Sequence, residues 1–142
     1  MMELLLQGLR AAAEPTRLRL LALCAHAELT VTELTQILGQ SQPRVSRHLK
    51  LLCEAGLLER HREGTWAYYR LADTSDCAHL ARTLGDLVPE QDDVLARDLS
   101  RLAGIKRTRA AAAVLTRLLL SKTVASSRSG RLTRRNPRIA LR

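Results

Sequence analysis

Apolar positions in the first half of the chain recur at helical spacing. Residues 2–12, MELLLQGLRAA, read as a short helix. Pro15 then stands where a first helical turn accepts it, ahead of TRLRLLALCAHA. In that segment Leu18 and Leu21, with Ala22 and Ala25, line one face. In LTVTELTQILG, Thr30 or Thr32 can cap a helix whose apolar stripe is Val31, Leu34, Ile37 and Leu38. Gly39 supplies the left-handed residue that ends it. Only Gly39, Gln40 and Ser41 separate this helix from the next, where Ser41 suits the N-cap and Pro43 the first turn. That next helix runs to about Ala55 and stops at Gly56, with Val45, Leu49 and Leu52 at i, i+4 and i+7 turned to the core.

Two helices joined by so short a glycine-containing turn predict a helix-turn-helix. The period then changes from helical to alternating. LLERHR and WAYYRL are extended segments around Glu63-Gly64-Thr65, with Leu58, Arg60 and Arg62 alternating with Glu59 and His61. Gly64 can take the positive φ of a tight hairpin. The expected fold is mainly α with a small β-hairpin, a winged helix-turn-helix. After Asp73 the pattern is helical again, with a cap at Ser75 and apolar Leu80, Leu84, Leu87 and Val88 before Pro89. A further helix follows with Val94, Leu95, Leu99, Leu102 and Ile105 near one side. The expected division is a DNA-binding and dimerisation domain over residues 1–90, a helical extension over 91–120 and a basic, disordered tail over 121–142.

Composition sharpens this picture. Trp66, Tyr68 and Tyr69 are the only aromatics among 142 residues, so the core must be built from aliphatic side chains. The net charge of +9 is uneven: residues 1–116 hold 15 Lys/Arg against 14 Asp/Glu, and residues 117–142 hold 8 Lys/Arg and no acid. The basic excess therefore belongs to the tail and does not by itself argue that the domain binds nucleic acid. Cys24, Cys53 and Cys77 are odd in number and widely spaced, which favours a reducing cytoplasm over a disulfide framework. MMELLLQGLR carries Glu3 where a signal peptide needs positive charge. No apolar run approaches the roughly 20 residues of a membrane span. Nucleophile elbow, phosphate loop and metal-ligand run are all missing, so neither an enzyme nor a cofactor is expected.

The candidate chemistry lies on the second helix of the pair. With Val45, Leu49 and Leu52 inward, Arg44, Ser46, Arg47 and Lys50 fall toward solvent. Ser41 and Gln42 open the helix near a groove floor, and His48 completes the set. Arg can bond bidentately to guanine and Gln to adenine, while Lys50 lies where phosphate is met. Arg60, Arg62 and Arg70 flank the hairpin, where minor-groove or phosphate contacts are made, with Thr65 at its tip. Trp66 is expected to pack at the hairpin base. A solvated charged face would explain the helix alone. The short turn, the helix and the basic hairpin together favour double-stranded DNA as the partner.

EPTRLRLLALC and LTVTELTQILGQSQPRVSRHLKLLCEAGLLERHREGTWAYYRLAD resemble the ArsR/SmtB family of winged-helix repressors over about residues 8–73. The resemblance implies a homodimer, with residues 2–12 and 75–88 in the interface, and operator release by an inducer that the sequence does not name. The family's thiolate segment, of the form ELCVCEL, reads ELTVTEL here, with Thr30 and Thr32 in the cysteine places. Hydroxyls are poor ligands for soft metals, so that site is not expected. Asp76 and His79 fall near a second family metal site, whose downstream His-x-x-Glu partner is absent. The family also implies a redox or persulfide alternative using Cys24, with Cys77 as an early partner; the plain alternative is a buried Cys24. Cys53 matches no family role. Residues 92–110 look like the linker helix of a subgroup fused to a methyltransferase, though a methyltransferase is not expected in this chain. A non-specific basic nucleic-acid binder working through its tail is a further alternative.

Overall fold

The computed structural model describes residues 1–129. In chain order they form α1 Met2–Ala12, α2 Pro15–His26, β1 Leu29–Thr30, α3 Val31–Leu38 and α4 Gln42–Glu54, then β2 Leu58–Glu63, β3 Trp66–Leu71, α5 Ala78–Leu87 and α6 Asp93–Ser129. The fold is the expected winged helix-turn-helix, with one addition. β1 joins the hairpin as a third strand, giving an antiparallel sheet in the order β1-β3-β2. Leu29 pairs with Tyr69 and Thr30 with Tyr68. Two residues carry too little alternation to announce a strand, so β1 shows only through its partner.

α2 is the centre of the core. Glu14 caps it by accepting from the Arg17 backbone N–H at 2.9 Å, and Pro15 occupies the first turn. Its predicted stripe is narrower than the real one: Leu20, Leu21, Ala22 and Leu23 are fully buried, Leu18 is half-buried and Ala25 is exposed. The physical reason is that α1, α4, α5 and β3 all pack on α2, so it has no single inner face.

α3 starts at a capping box. Thr30 Oγ1 accepts from Glu33 N–H, and Glu33 Oε1 accepts from Thr30 N–H at 2.9 Å. Thr30, not Thr32, is therefore the cap. Gly39 at φ +64° ends the helix. Ser75 does not cap α5: its hydroxyl donates to Gly56 O at 2.6 Å, and α5 begins after Cys77.

The chain divides into a unit from Met1 to Ile105 and a second unit beginning at Lys106. Residues 93–105 thus belong with the winged helix, and the expected boundary at 90/91 does not match this division. Leu95 and Leu102 are buried, and Leu99 and Ile105 pack on the core. Val94, expected on that face, is exposed, and Asp98 is buried there instead. The expected boundary at 120/121 falls inside continuous α6. In the second unit the side chains of residues 106–126 are exposed. The expectation for residues 130–142 lies outside the described residues. Among the described residues no helix is long and apolar enough to cross a membrane.

Candidate nucleic-acid interface

α4 has two unlike sides. Val45, Leu49 and Leu52 are at most 1% exposed and seat it on the core. The first turn forms without a side-chain cap: Ser41 stands at the N-cap, and only its backbone carbonyl accepts, from Val45 N–H at 3.0 Å. Its hydroxyl is thus not engaged in capping. Gln42, Arg44, Ser46, Arg47 and Lys50 are exposed. Among the described residues neither Arg44 nor Arg47 forms an ion pair. Lys50 meets Glu54 at 3.9 Å on the helix surface, a contact worth little.

His48 is placed differently from the rest of its set. It turns toward α2, its side chain only 13% exposed, with Arg17 Nη1 3.2 Å from Nδ1 and Glu14 3.8 Å away. A guanidinium can only donate, so Nδ1 accepts and the ring proton sits on Nε2. Burial pushes His48 below its ordinary pKa; Glu14 opposes this, and the charges of Arg17, Arg44 and Arg47 add to it. Arg17 also donates from Nε to Ala11 O. One arginine thus ties α1, α2 and α4 together, and Thr16 on α2 accepts from Gln40 Nε2 at 3.1 Å in the turn before α4.

The wing is β2 and β3, closed by the Glu63–Trp66 pair around Gly64 (φ +62°) and Thr65. Arg60 sits across from Tyr69 and Arg62 across from Ala67, both exposed, and Thr65 is exposed at the tip. Arg70 is engaged: it lies 3.5 Å from both Glu28 and Glu59. Glu59 in turn accepts from the Asp73 and Thr74 backbone N–H groups, which lower its pKa. Trp66 is 58% exposed and does not pack as expected. Its register explains this, since it pairs with Glu63 next to the tip and not at the base.

The cysteines are free thiols. Cys24 is buried in the core, and that burial pushes its pKa up to about 12, with Cys53 adding to the rise. Cys77 instead lies against α1, its sulfur 3.7 Å from Leu4 O. The structure does not join Cys24 to Cys77. A thiol so hard to ionise is a poor nucleophile. Asp76 and His79 are exposed beside an apolar cavity of about 570 Å³ between α1 and α5 that Met2, Leu5 and Leu80 also line. Among the described residues no three His, Cys, Asp or Glu side chains gather as metal ligands.

Sequence reasoning did not find the Glu14–Arg17–His48 junction, nor Arg19, Asp98 and Arg101, described below. Only Glu14 left a local trace, as an acid just before Pro15.

Residues 14–60 match the model of bacterial regulatory proteins of the arsR family. The chain is 51% identical over 63 residues to an arsenic resistance transcriptional regulator of Pseudomonas putida, covering 44% of this chain and 49% of that protein. It is 44% identical over 68 residues to an arsenical resistance operon repressor of Escherichia coli, covering 47% of this chain and 58% of that protein. The chain therefore spans about half the length of these relatives. The solved homodimeric winged helix-turn-helix DNA-binding domain from Mycobacterium bovis superposes with a TM-score of 0.54 at 31% identity, over 63% of this chain and 82% of that one. With its sequence matched across the helix-turn-helix and its fold matched across most of a solved neighbour, the chain belongs to the arsR family of bacterial regulatory proteins.

Proposed function

We propose that this chain is a cytoplasmic, sequence-specific DNA-binding regulator, a homodimeric repressor released by a small ligand or signal. One observation carries the reading. Arg44 and Arg47 stand exposed and, among the described residues, without ion pairs on the outer side of a helix whose inner side is fully buried. Such a helix holds its charges in a fixed geometry and leaves them unneutralised. Arg47 or Arg44 reads a base edge bidentately, with Gln42 and Ser46 beside it. Ser41, Lys50 and, on the wing, Arg60, Arg62 and Thr65 hold the backbone. His48 acts through Arg17, from behind the helix. The named relatives act as regulators and repressors, which supports the same reading.

The homodimer rests on α1 and α5. Leu4 and Leu5, 40% and 46% exposed, line the α1/α5 cavity, and Leu9 on α1 and Leu87 on α5 are exposed as well, apolar surface that a second copy would cover. The solved neighbour is homodimeric.

The test is fluorescence anisotropy with a duplex enriched from a randomised pool by the full chain, against a scrambled duplex, at two salt concentrations. A repressor prefers the enriched duplex, with two half-sites about one helical turn apart. Equal affinity for both duplexes would leave only a non-specific binder working through counterion release.

A further inference from the structure

The first turns of α6 touch both elements that frame the helix-turn-helix. On one side Asp98, 1% exposed, accepts from Nε and Nη2 of Arg19 on α2, at 2.7 and 2.8 Å. On the other, Arg101 Nη1 donates to Ile37 O at 2.7 Å. Ile37 lies in the last turn of α3, where carbonyls have no helical N–H ahead of them. Gly39 turns the chain away and its own N–H goes back to Thr35 O. The Arg101 guanidinium therefore satisfies an orphan carbonyl and sets positive charge at the negative end of α3. Ile37 precedes Gln42, the first residue of α4, by only five positions. α2 holds the same turn through Thr16 and Gln40. Leu95 and Leu102, buried on either side of Asp98, fix the strap in place.

We infer that residues 93–105 of α6 form a strap that sets the end of α3 and the turn into α4, with Asp98 and Arg101 as positioning residues for DNA reading. The inference rests on the proposed function for its consequence, but its geometry does not depend on it. It places part of the reader outside residues 14–60, which carry the family match. Asp98 anchors the strap on α2. Arg101 is itself exposed, so its donation adds little to global stability, but it fixes where α3 stops. A base-reading side chain must be held to a fraction of an ångström, and a loosened turn spreads it over several positions.

The experiment compares full-length Arg101→Met, which keeps the apolar stem and loses the donors, with Arg101→Lys, which keeps a cationic donor. The probes are the enriched duplex and its scrambled counterpart. Arg101→Met should stay folded and lose about five- to tenfold in affinity for the enriched duplex, the scale of one charge-assisted bond at a partly exposed site, with scrambled-duplex binding unchanged. Arg101→Lys should recover most of that preference. Equal enriched-duplex affinity in Arg101→Met, an equal loss on both duplexes, or no recovery in Arg101→Lys overturns the strap. If the unsubstituted chain enriches no duplex, the DNA reading falls by itself, and hydrogen exchange still decides the strap. Faster exchange at the Gly39–Gln42 amides in Arg101→Met supports it, and unchanged exchange refutes it.

Discussion

The outward arginines of α4 and the arginines held at the helix junctions are the same residue in two opposite conditions. Arg44 and Arg47 face outward and, among the described residues, form no ion pair. Arg17, Arg19 and Arg101 are each bound to groups of this chain: Arg17 to His48 and a carbonyl, Arg19 to Asp98, Arg101 to the end of α3. Arg70 in the wing belongs with the second group, between Glu28 and Glu59. The difference teaches that a basic side chain is available to a partner only where the fold has left it uncompensated. Counting Lys and Arg along the chain cannot make that distinction. The two conditions also predict separable phenotypes: loss of Arg19 acts on stability through the buried Asp98, loss of the arginines on the outer face of α4 acts on binding alone, and Arg101 acts on binding through the turn it holds.

The largest expected effect is at the α2–α6 junction of Arg19 and Asp98. Arg19→Ala leaves the Asp98 carboxylate buried without its guanidinium, and breaking such a pair costs on the order of 3–5 kcal/mol. Urea unfolding measures it, and a loss below about 1 kcal/mol would mean that Asp98 relaxes to solvent. Arg47→Ala is the opposite case. It should cost about 1–3 kcal/mol of binding to the enriched duplex and shift the unfolding midpoint little. Should it weaken scrambled DNA equally, Arg47 meets phosphate and reads no base. Gly39→Ala, with nothing within 4 Å of the added Cβ, isolates the backbone term, and at φ +64° about 1–2 kcal/mol of stability should go. An unchanged midpoint would show that the turn shifts out of the left-handed region.

The smallest effect is the pH dependence of the α2–α4 junction. His48 titrates below its ordinary 6.5 in the folded chain, so the folded state binds fewer protons than the unfolded state. Its contribution is complete above 6.5 and is lost as pH falls from there toward the lowered folded value. Stability should therefore fall across that window in the unsubstituted protein and less in His48→Gln. Parallel stability curves for the two proteins would remove His48 from the account.

Much of the fold was legible because it is written locally. A threonine at position 30 or 32 marks the start of α3, with Thr30 decided by its bond to Glu33, while Gly39 and Gly64 need a positive φ and Val45, Leu49 and Leu52 repeat at helical spacing. The outward set on α4 followed from that repeat, except at His48. His48 shares its sequence neighbourhood with Arg47, yet Arg17, 31 positions away, draws it inward. Trp66 was misjudged for a related reason, since a shift in hairpin register moves a residue from base to tip. Asp98 lay in a segment read by its aliphatic residues alone, and a charged residue on an apolar face shows its partner only when another helix arrives.

The sequence by itself determined the order of the helices, the turn between α3 and α4, the wing and the family, because caps, periods and glycines act over a few residues. It also determined which side of α4 is buried. Only the tertiary structure decided which arginines remain uncompensated, that Cys24 and Cys77 stay unjoined, that β1 completes the sheet, and that α6 reaches back to α2 and α3. Those outcomes depend on contacts between positions tens of residues apart. A charge or a thiol takes its properties from burial and from its nearest partners, and chain order alone specifies neither.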